Sequence, residues 1–508
     1  MSRRTLGLGL IVLWLVAVGW LARRELWRPS ADRLAEAALS LQPGAAYYAI
    51  SVGGEQFGYA SLTVDTLIDT LRVSDVVILD VPVSGGVQRT EARTDASLSR
   101  TLELRSFTAA VRGDGGRFDA RGRVEGDSVF ALQIGAEIGG ETRRSRLTSP
   151  LLLRQLLPLT LTFAHRLATG EAFALRVFDP VLAEYRDVAL TVAAESTFIV
   201  ADSAVFDSST RRFAPIDTDT LHAWQLRGTD GGIPLETWVD DDGLPVLTTS
   251  PNGLRIERTA FEVAYENFRR FGGGASGSAP DLVRTTAVAA GAPLPTTARP
   301  RLRVRLRGQP LTGFDLEGGR QRLEGDTLVV AREGEAQLEA EYRLPGAQPD
   351  LLPFLRPAPL IPSDDPRILA QARQIIGRTG RPRRAAERLV EWVYQNVRKE
   401  AVTGGPSAVT VLESRRGDCN EHTVLFVALA RSIGLPARTA AGLVSLDGAF
   451  YYHAWPEVYL NGWVAVDPTF GQFPADAAHV RLTIGGLARQ LELLRLVGRL
   501  RVEILPTN

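Results

Sequence analysis

The chain contains one cysteine, Cys419, within the stretch RRGDCNEHTVLF at residues 415–426. One cysteine cannot close a disulfide within its own chain. It is either an inert buried hydrophobe or a thiol kept for its chemistry. Gly417 and Asp418 precede it. An apolar helical pattern follows, with Leu425, Phe426, Leu429 and Ile433 on one stripe and Gly434 at its end. A thiol at a helix N-terminus faces unpaired N–H groups and the positive end of the helix dipole, which lower the cost of a thiolate. The same N–H groups, that of Cys419 included, can receive a developing oxyanion. Downstream lie His453, in the alternating run FYYHAWPEVYL, and Asp467, in WVAVDPT. Cysteine, histidine and aspartate in this order supply a nucleophile, a base and an orienting group. A neutral His453 can take the thiol proton and later protonate a leaving amine, while Asp467 holds the imidazole tautomer.

The turn between the two strands constrains this reading. Asn461-Gly462 joins them. A two-residue turn would pair Leu460 with Trp463 and Pro456 with Asp467, which puts His453 and Asp467 on opposite faces. A three-residue loop, Leu460-Asn461-Gly462 with Gly462 left-handed, pairs Tyr459 with Trp463 and Trp455 with Asp467. Asp467 then sits diagonal to His453 on one face, about 7–8 Å away and within side-chain reach. The triad requires the odd loop.

GDCNEHTVLFVALARSIGLPAR followed by HAWPEVYLNGWVAVDPT resembles the transglutaminase-like superfamily, the bacterial branch of the papain-like cysteine enzymes. The family pattern is Gly-x-Cys, an apolar helix ending in Gly-x-Pro-Ala-Arg, His-x-Trp-x-Glu, and Trp-x-x-x-Asp-Pro-Thr. All are present in order over about residues 364–480, roughly a quarter of the chain, and FPADAAHVRL also resembles family members. Cys419, His453 and Asp467 fall on the family's triad positions. The resemblance implies a cysteine-bearing helix packed on an antiparallel sheet. It does not imply calcium, because the acidic clusters of the animal enzymes have no visible counterpart. One departure is Pro456, where an aliphatic residue is usual. Lacking an N–H, it suits an edge or a non-bonded ladder position.

Other residues are expected to support the triad. Asp418 caps the cysteine helix, and His422 is structural and hydrogen-bonded, as is His479. Trp455, Trp463 and Glu457 pack or orient, with Trp455 alternatively shaping an acyl pocket. Arg438 anchors a loop by ion pairing, and His165 and His222 are surface or packing residues. Tyr394 or Gln395 is the candidate second oxyanion donor. No cofactor is expected, and without a CxxC or Cys/His cluster no structural zinc site is expected either.

The elements around the site form a multidomain α+β chain. At 508 residues it exceeds one ordinary core. Its 58 basic and 58 acidic residues balance, which argues against a nucleic-acid partner. Arg3 and Arg4 precede an unbroken apolar run, Leu6 to Ala22, closed by Arg23 and Arg24. At ~1.5 Å per residue this run is at the short end for a bilayer. Residues 1–28 read as an uncleaved signal anchor or transmembrane helix, with a cleaved secretory signal as the alternative. Residues 29–271 alternate with period two around turns such as Gly53-Gly54, giving a large antiparallel β-rich domain with a helical stretch at 150–168. Residues 272–300 are linker-like. Residues 301–345 read as a small β-sandwich-like module. Residues 364–480 form the transglutaminase-like (papain-like) catalytic domain, and 481–508 an extension packing on it.

These readings point to a single-pass inner-membrane protein with its bulk extracytoplasmic, in the periplasm. Cys419 would attack an amide of a protein, peptide or cell-wall peptide through a thioester, with hydrolysis favoured because bulk water is available. Acyl transfer to an amine, as in cross-linking, is the alternative. A non-catalytic peptide-binding module is the third, since folds do not dictate functions.

Overall fold

The computed structural model describes residues 43–506, apart from 272–287, 290–298 and shorter stretches at 68–69, 84–85, 115, 127, 136–140, 165–166, 181, 231–232, 251–252, 347, 359, 401, 403–406, 447, 487–488, 491 and 498. The expected anchor at 1–28, most of the linker and His165 lie outside the described residues. Among the described residues, no helix is long and apolar enough to cross a membrane.

The β-rich domain is a fourteen-stranded antiparallel sheet. Its first strand, Gly44–Val52, lies in the middle. Seven strands meander outward from it to Glu141–Arg146, and the six strands from Ala172–Asp179 to Leu254–Thr259 return on its other side. Val52 pairs with Glu55, so Gly53-Gly54 is the two-residue turn expected, both glycines having positive φ. The edge strands are not paired with each other. The sheet curls, however, so that Phe130 and Phe178 from opposite ends meet with ring centroids 5.2 Å apart. The segment connecting those ends holds the short helix Leu157–Ala164, whose Leu157, Leu159 and Leu161 are buried in the two cores lining the sheet.

The C-terminal domain packs four helices on a second sheet. Asp365 caps the helix Pro366–Ile376 by accepting the N–H of Arg367, with proline at the first helical position. The helix Pro382–Asn396 buries Ala386, Leu389, Val390 and Val393, the face the spacing predicts. The helix Ala408–Ser414 follows. The fourth helix, Cys419–Ser432, is buried on all sides from Glu421 to Ala430, and Gly434 ends it at φ +81°. It lies against the strand Ala449–Tyr459, which pairs with Ala437–Leu446, which in turn pairs with His479–Ile484.

Two boundaries differ from the sequence reading. Val288 and Ala289, inside the stretch read as linker, pair with Phe450 and Ala449 and add a short strand to the catalytic sheet. The module expected at 301–345 is a four-stranded sheet whose last strand, Arg501–Leu505, comes from the end of the chain. The extension 481–508 therefore completes this module as well as continuing the catalytic sheet. Local alternation marks both strands but carries no record of which pair across two hundred residues. After Ala331 the alternation stops, and Glu335–Leu338 forms a helical turn.

The module is bolted to the catalytic sheet by buried charges. The Arg320–Glu333 pair, 2.9 Å apart, is almost wholly enclosed. Arg320 also donates to the carbonyls of Ala475 and Asp476, and Glu333 accepts the N–H of Ala465. Breaking one partner strands the other charge, which typically costs about 3–5 kcal/mol. Glu333→Ala is expected to lower the stability of this unit by that amount in urea unfolding. Arg322→Ala, at the exposed Arg322–Glu324 pair of the same sheet, is expected to change it by less than about 1 kcal/mol.

Candidate active site

Cys419 is the first residue of its helix and is half-buried. Asp418 precedes it as the cap: its carboxylate accepts the N–H of Asn420 at 2.8 Å, and that of Glu421 in a capping box. Glu421 returns the contact, accepting the Asp418 N–H at 2.9 Å. The box uses the N–H groups of residues 418, 420 and 421 and leaves that of Cys419 for another acceptor. Gly417 is required by this packing, since a Cβ there would lie 2.2 Å from Cβ of Glu421.

The odd loop is present. Tyr459 pairs with Trp463, Gly462 has φ +109°, and the Pro456 carbonyl accepts the N–H of Val466 at 3.0 Å. The missing proline N–H falls where the short strand Trp463–Ala465 has ended, so it costs no ladder bond. With this register His453 Nε2 lies 2.8 Å from Asp467 Oδ2. Asp467 Oδ1 accepts the N–H groups of Thr469 at 2.7 Å and Phe470 at 3.0 Å. Nδ1 of His453 is the ring nitrogen left to exchange a proton. The backbone N–H of Ala454, the next residue, faces the Cys419 sulfur. The structure thus brings Cys419, His453 and Asp467 to one place, at the strand edge left open between Val288–Ala289 and Trp463–Ala465.

The supporting residues divide. Trp455 is fully buried and its ring is stacked against that of His453 at 6.1 Å, while Phe470 stacks against His453 at 5.0 Å. His422 is buried and bridges carbonyls, with Nδ1 2.7 Å from that of Asp418 and Nε2 3.3 Å from that of Val397. Glu457 is an ion-pair hub, 2.6 Å from Arg438 and 3.1 Å from Arg481. Arg438 is the strand partner of Glu457 and covers the Trp463 ring; it stands in a strand, not a loop. His222 is half-exposed and pairs with Asp241 in the β-rich domain. Tyr394 packs on Gly471 under Lys399, and Gln395 reaches Glu391.

Sequence reading missed how close His479 lies. Its Nε2 is 2.9 Å from the same Asp467 Oδ2 that His453 uses, and its Nδ1 is 3.0 Å from Asp476. The only signal was its place in FPADAAHVRL; it stands on a different strand, twelve residues beyond Asp467. The donor atoms of His453, Asp467 and His479 lie within 4.8 Å of one another. The N–O separations of 2.8 and 2.9 Å are those of hydrogen bonds. Two zinc ligands at about 2.0–2.1 Å and tetrahedral angles would stand farther apart.

The electrostatics revise one expectation. Burial pushes the Cys419 thiol well above its ordinary value, and Asp418, Glu421 and Asp467 push the same way; the Ala454 N–H opposes them. A helix N-terminus contributes about 0.3–1 kcal/mol. Burial of the sulfur and the neighbouring carboxylates together outweigh this, so the net direction is upward. The resting thiol is held neutral. Asp467 is held well below the usual carboxylate range: burial alone would raise it, but its bonds to His453 and His479 outweigh this.

With this geometry in place, the comparisons can be read. The model of the transglutaminase-like superfamily matches residues 370–468. This part of the chain is a transglutaminase-like domain. No curated protein matches the chain. Among solved structures, a Cytophaga hutchinsonii protein named "Putative Cysteine Protease" is similar at 17% identity and TM-score 0.28, over 44% of this chain and 82% of its own. A β-barrel-like protein of a domain of unknown function from Brucella abortus is similar at 11% identity and TM-score 0.29, over 43% and 96%. At these TM-scores neither likeness bears on the site of the transglutaminase-like domain.

Asp418→Asn keeps the helix cap and removes a charge beside the thiol. Alkylation of Cys419 by iodoacetamide is expected to have its pH midpoint above about 8.5 in the native chain. The midpoint is expected to fall in Asp418→Asn. An unchanged midpoint would mean that the Asp418 charge has no part in holding the thiol protonated.

Proposed function

We propose that the transglutaminase-like domain is a thiol amide hydrolase acting on peptides. The observation that carries this is the 2.8 Å contact that commits His453 Nε2 to Asp467, leaving Nδ1 as the base on the strand whose Ala454 N–H faces the helix-start thiol. Cys419 gives its proton to His453 Nδ1 as the sulfur attacks the amide carbonyl carbon. The oxyanion is received by the unused Cys419 N–H, in the manner of preorganised backbone donors. His453 returns the proton to the amide nitrogen, the C–N bond breaks, and the amine leaves a thioester. Water then attacks, losing its proton to His453, and the acid departs as the thiol is restored.

A cavity of 660 Å³ flanks the cysteine helix at Asn420 and Val424, with Phe354, Leu360 and Ile361 among its walls; Cys419, His453 and Asp467 do not line it, so on this reading it takes a part of the substrate away from the scissile amide. Leu182 and Glu184 of the β-rich domain close it from the other side, which gives that domain a part in binding. We read residues 1–28 as the membrane anchor, on the strength of the apolar run from Leu6 to Ala22, and place the remainder outside the cytoplasm as part of the same proposal; the arginines flank both ends of the run and do not orient it.

The test is ammonia release from glutamine-containing peptides, with and without an added primary amine. Release is expected without the amine, to be lost in Cys419→Ala, and to slow by about 10²–10⁴-fold in His453→Ala. Amine incorporation at the expense of hydrolysis would convert the reading to acyl transfer. Release of neither ammonia nor a new peptide amino terminus in either condition, with native-like folding, would leave a peptide-binding module. Deleting residues 1–28 is expected to move the protein from the membrane to the soluble fraction in cell fractionation; retention in the membrane would remove the anchor reading.

A further inference from the structure

His479 stands where a neutral imidazole does not fit. Its Nε2 is 2.9 Å from Asp467 Oδ2 and its Nδ1 is 3.0 Å from Asp476 Oδ1, so both ring nitrogens face carboxylate oxygens. A neutral imidazole has one N–H and one acceptor nitrogen; only the imidazolium donates twice. The carboxylates do not supply the missing proton, because each is occupied as an acceptor elsewhere. Asp467 Oδ1 takes the N–H groups of Thr469 and Phe470, and Asp476 Oδ1 takes that of Ala478. His479 is fully enclosed, so water does not relieve the mismatch.

We propose that His479 is a buried, permanently protonated positioning residue that shares Asp467 Oδ2 with His453 and thereby sets how the base is oriented and charged. This rests on the reading of His453 as the base. The consequence is electrostatic as well as geometric. Asp467 would otherwise hand its whole negative charge to His453. Here a second imidazole takes part of it, and Asp476 balances that cation in turn. The other groups facing His479 are few. Arg320, which donates to the Asp476 carbonyl, disfavours its charge; the His453 ring is 5.8 Å away, and Trp455 presents an edge-on contact at 5.2 Å. Burial also disfavours its charge, yet the bonds to Asp467 and Asp476 prevail and raise its affinity for the proton. The backbone of His479 is fixed by strand pairing with Val444, so its place does not depend on the side chain.

Two measurements on the full chain test this, using ¹⁵N-histidine labelling and iodoacetamide as the probe. The chain has five histidines, and His479→Gln assigns the relevant signal by its loss. Both His479 nitrogens are expected to carry protons at pH 7.5; a singly protonated tautomer would overturn the proposal. In His479→Gln a buried positive charge is gone, so protons nearby are held more tightly. The alkylation profile of Cys419 is expected to move up by about one pH unit. A merely structural His479 would slow alkylation at every pH without moving the profile, and that result would overturn the proposal. Should His479→Gln fail to fold, Asp476→Ala removes the acceptor of the second proton and is expected to move the profile the same way; an unmoved profile there counts against the idea. Both readouts follow protonation and not turnover, so they fail or succeed independently of amide hydrolysis.

Discussion

The site is organised around a carboxylate that has no access to water. Asp467 is fully buried, and an isolated charge in such a place costs far more than a fold can supply. It is tolerated because both oxygens are filled: two backbone N–H groups of the following turn on one, two imidazoles on the other. Each partner imposes a demand on the chain. The turn must bend back immediately after Pro468, the Leu460-Asn461-Gly462 loop must have three residues, and the strand from His479 must arrive close enough to offer its ring. The orientation of His453 is a by-product of satisfying Asp467.

The cysteine end obeys a similar rule of complete accounting. A helix start exposes unpaired N–H groups. The Asp418–Glu421 box consumes those that a reaction does not need and leaves the one on the cysteine itself. The same carboxylates keep the thiol protonated at rest, together with burial. A protected thiol and a base with one free nitrogen describe a site that develops charge only when a carbonyl is present to receive it. The alternative, a standing thiolate, is disfavoured first by burial and then by the charge of Asp418.

Much of this was legible in the residues. Local rules sufficed for the cysteine helix and its stop at Gly434 and for the Gly53-Gly54 hairpin; for the turn at Asn461-Gly462 they defined two registers and which one the triad needs, and the pairing of Tyr459 with Trp463 decides between them. What was not legible is non-local. His479 read as a structural, hydrogen-bonded residue with no partner named, because that partner stands on another strand and no period connects them. Arg501–Leu505 looked like an extension because its pairing strand lies two hundred residues earlier. The sign of the thiol shift was misjudged because dipole and cap can be read from sequence, whereas burial, the larger effect, cannot.

The small module contributes no reacting group, yet its charges converge on the far side of the site. Arg481, two residues after His479 on the same strand, reaches Glu457 and the carbonyls of Asp315, Glu317 and Gly318. Arg320 and Glu333 hold the backbone on either side of Asp467, at Ala465 and at Ala475–Asp476. A buried ion pair adds little net stability compared with apolar packing, but it admits only one geometry without a large penalty. Placed here, these pairs give the His479 strand and the Asp476 turn a single registered position. The strand completed by the last residues of the chain then has a use in the site: it closes the sheet that carries Arg320 and Glu333, and through them the alignment of Asp467 extends to the C-terminus.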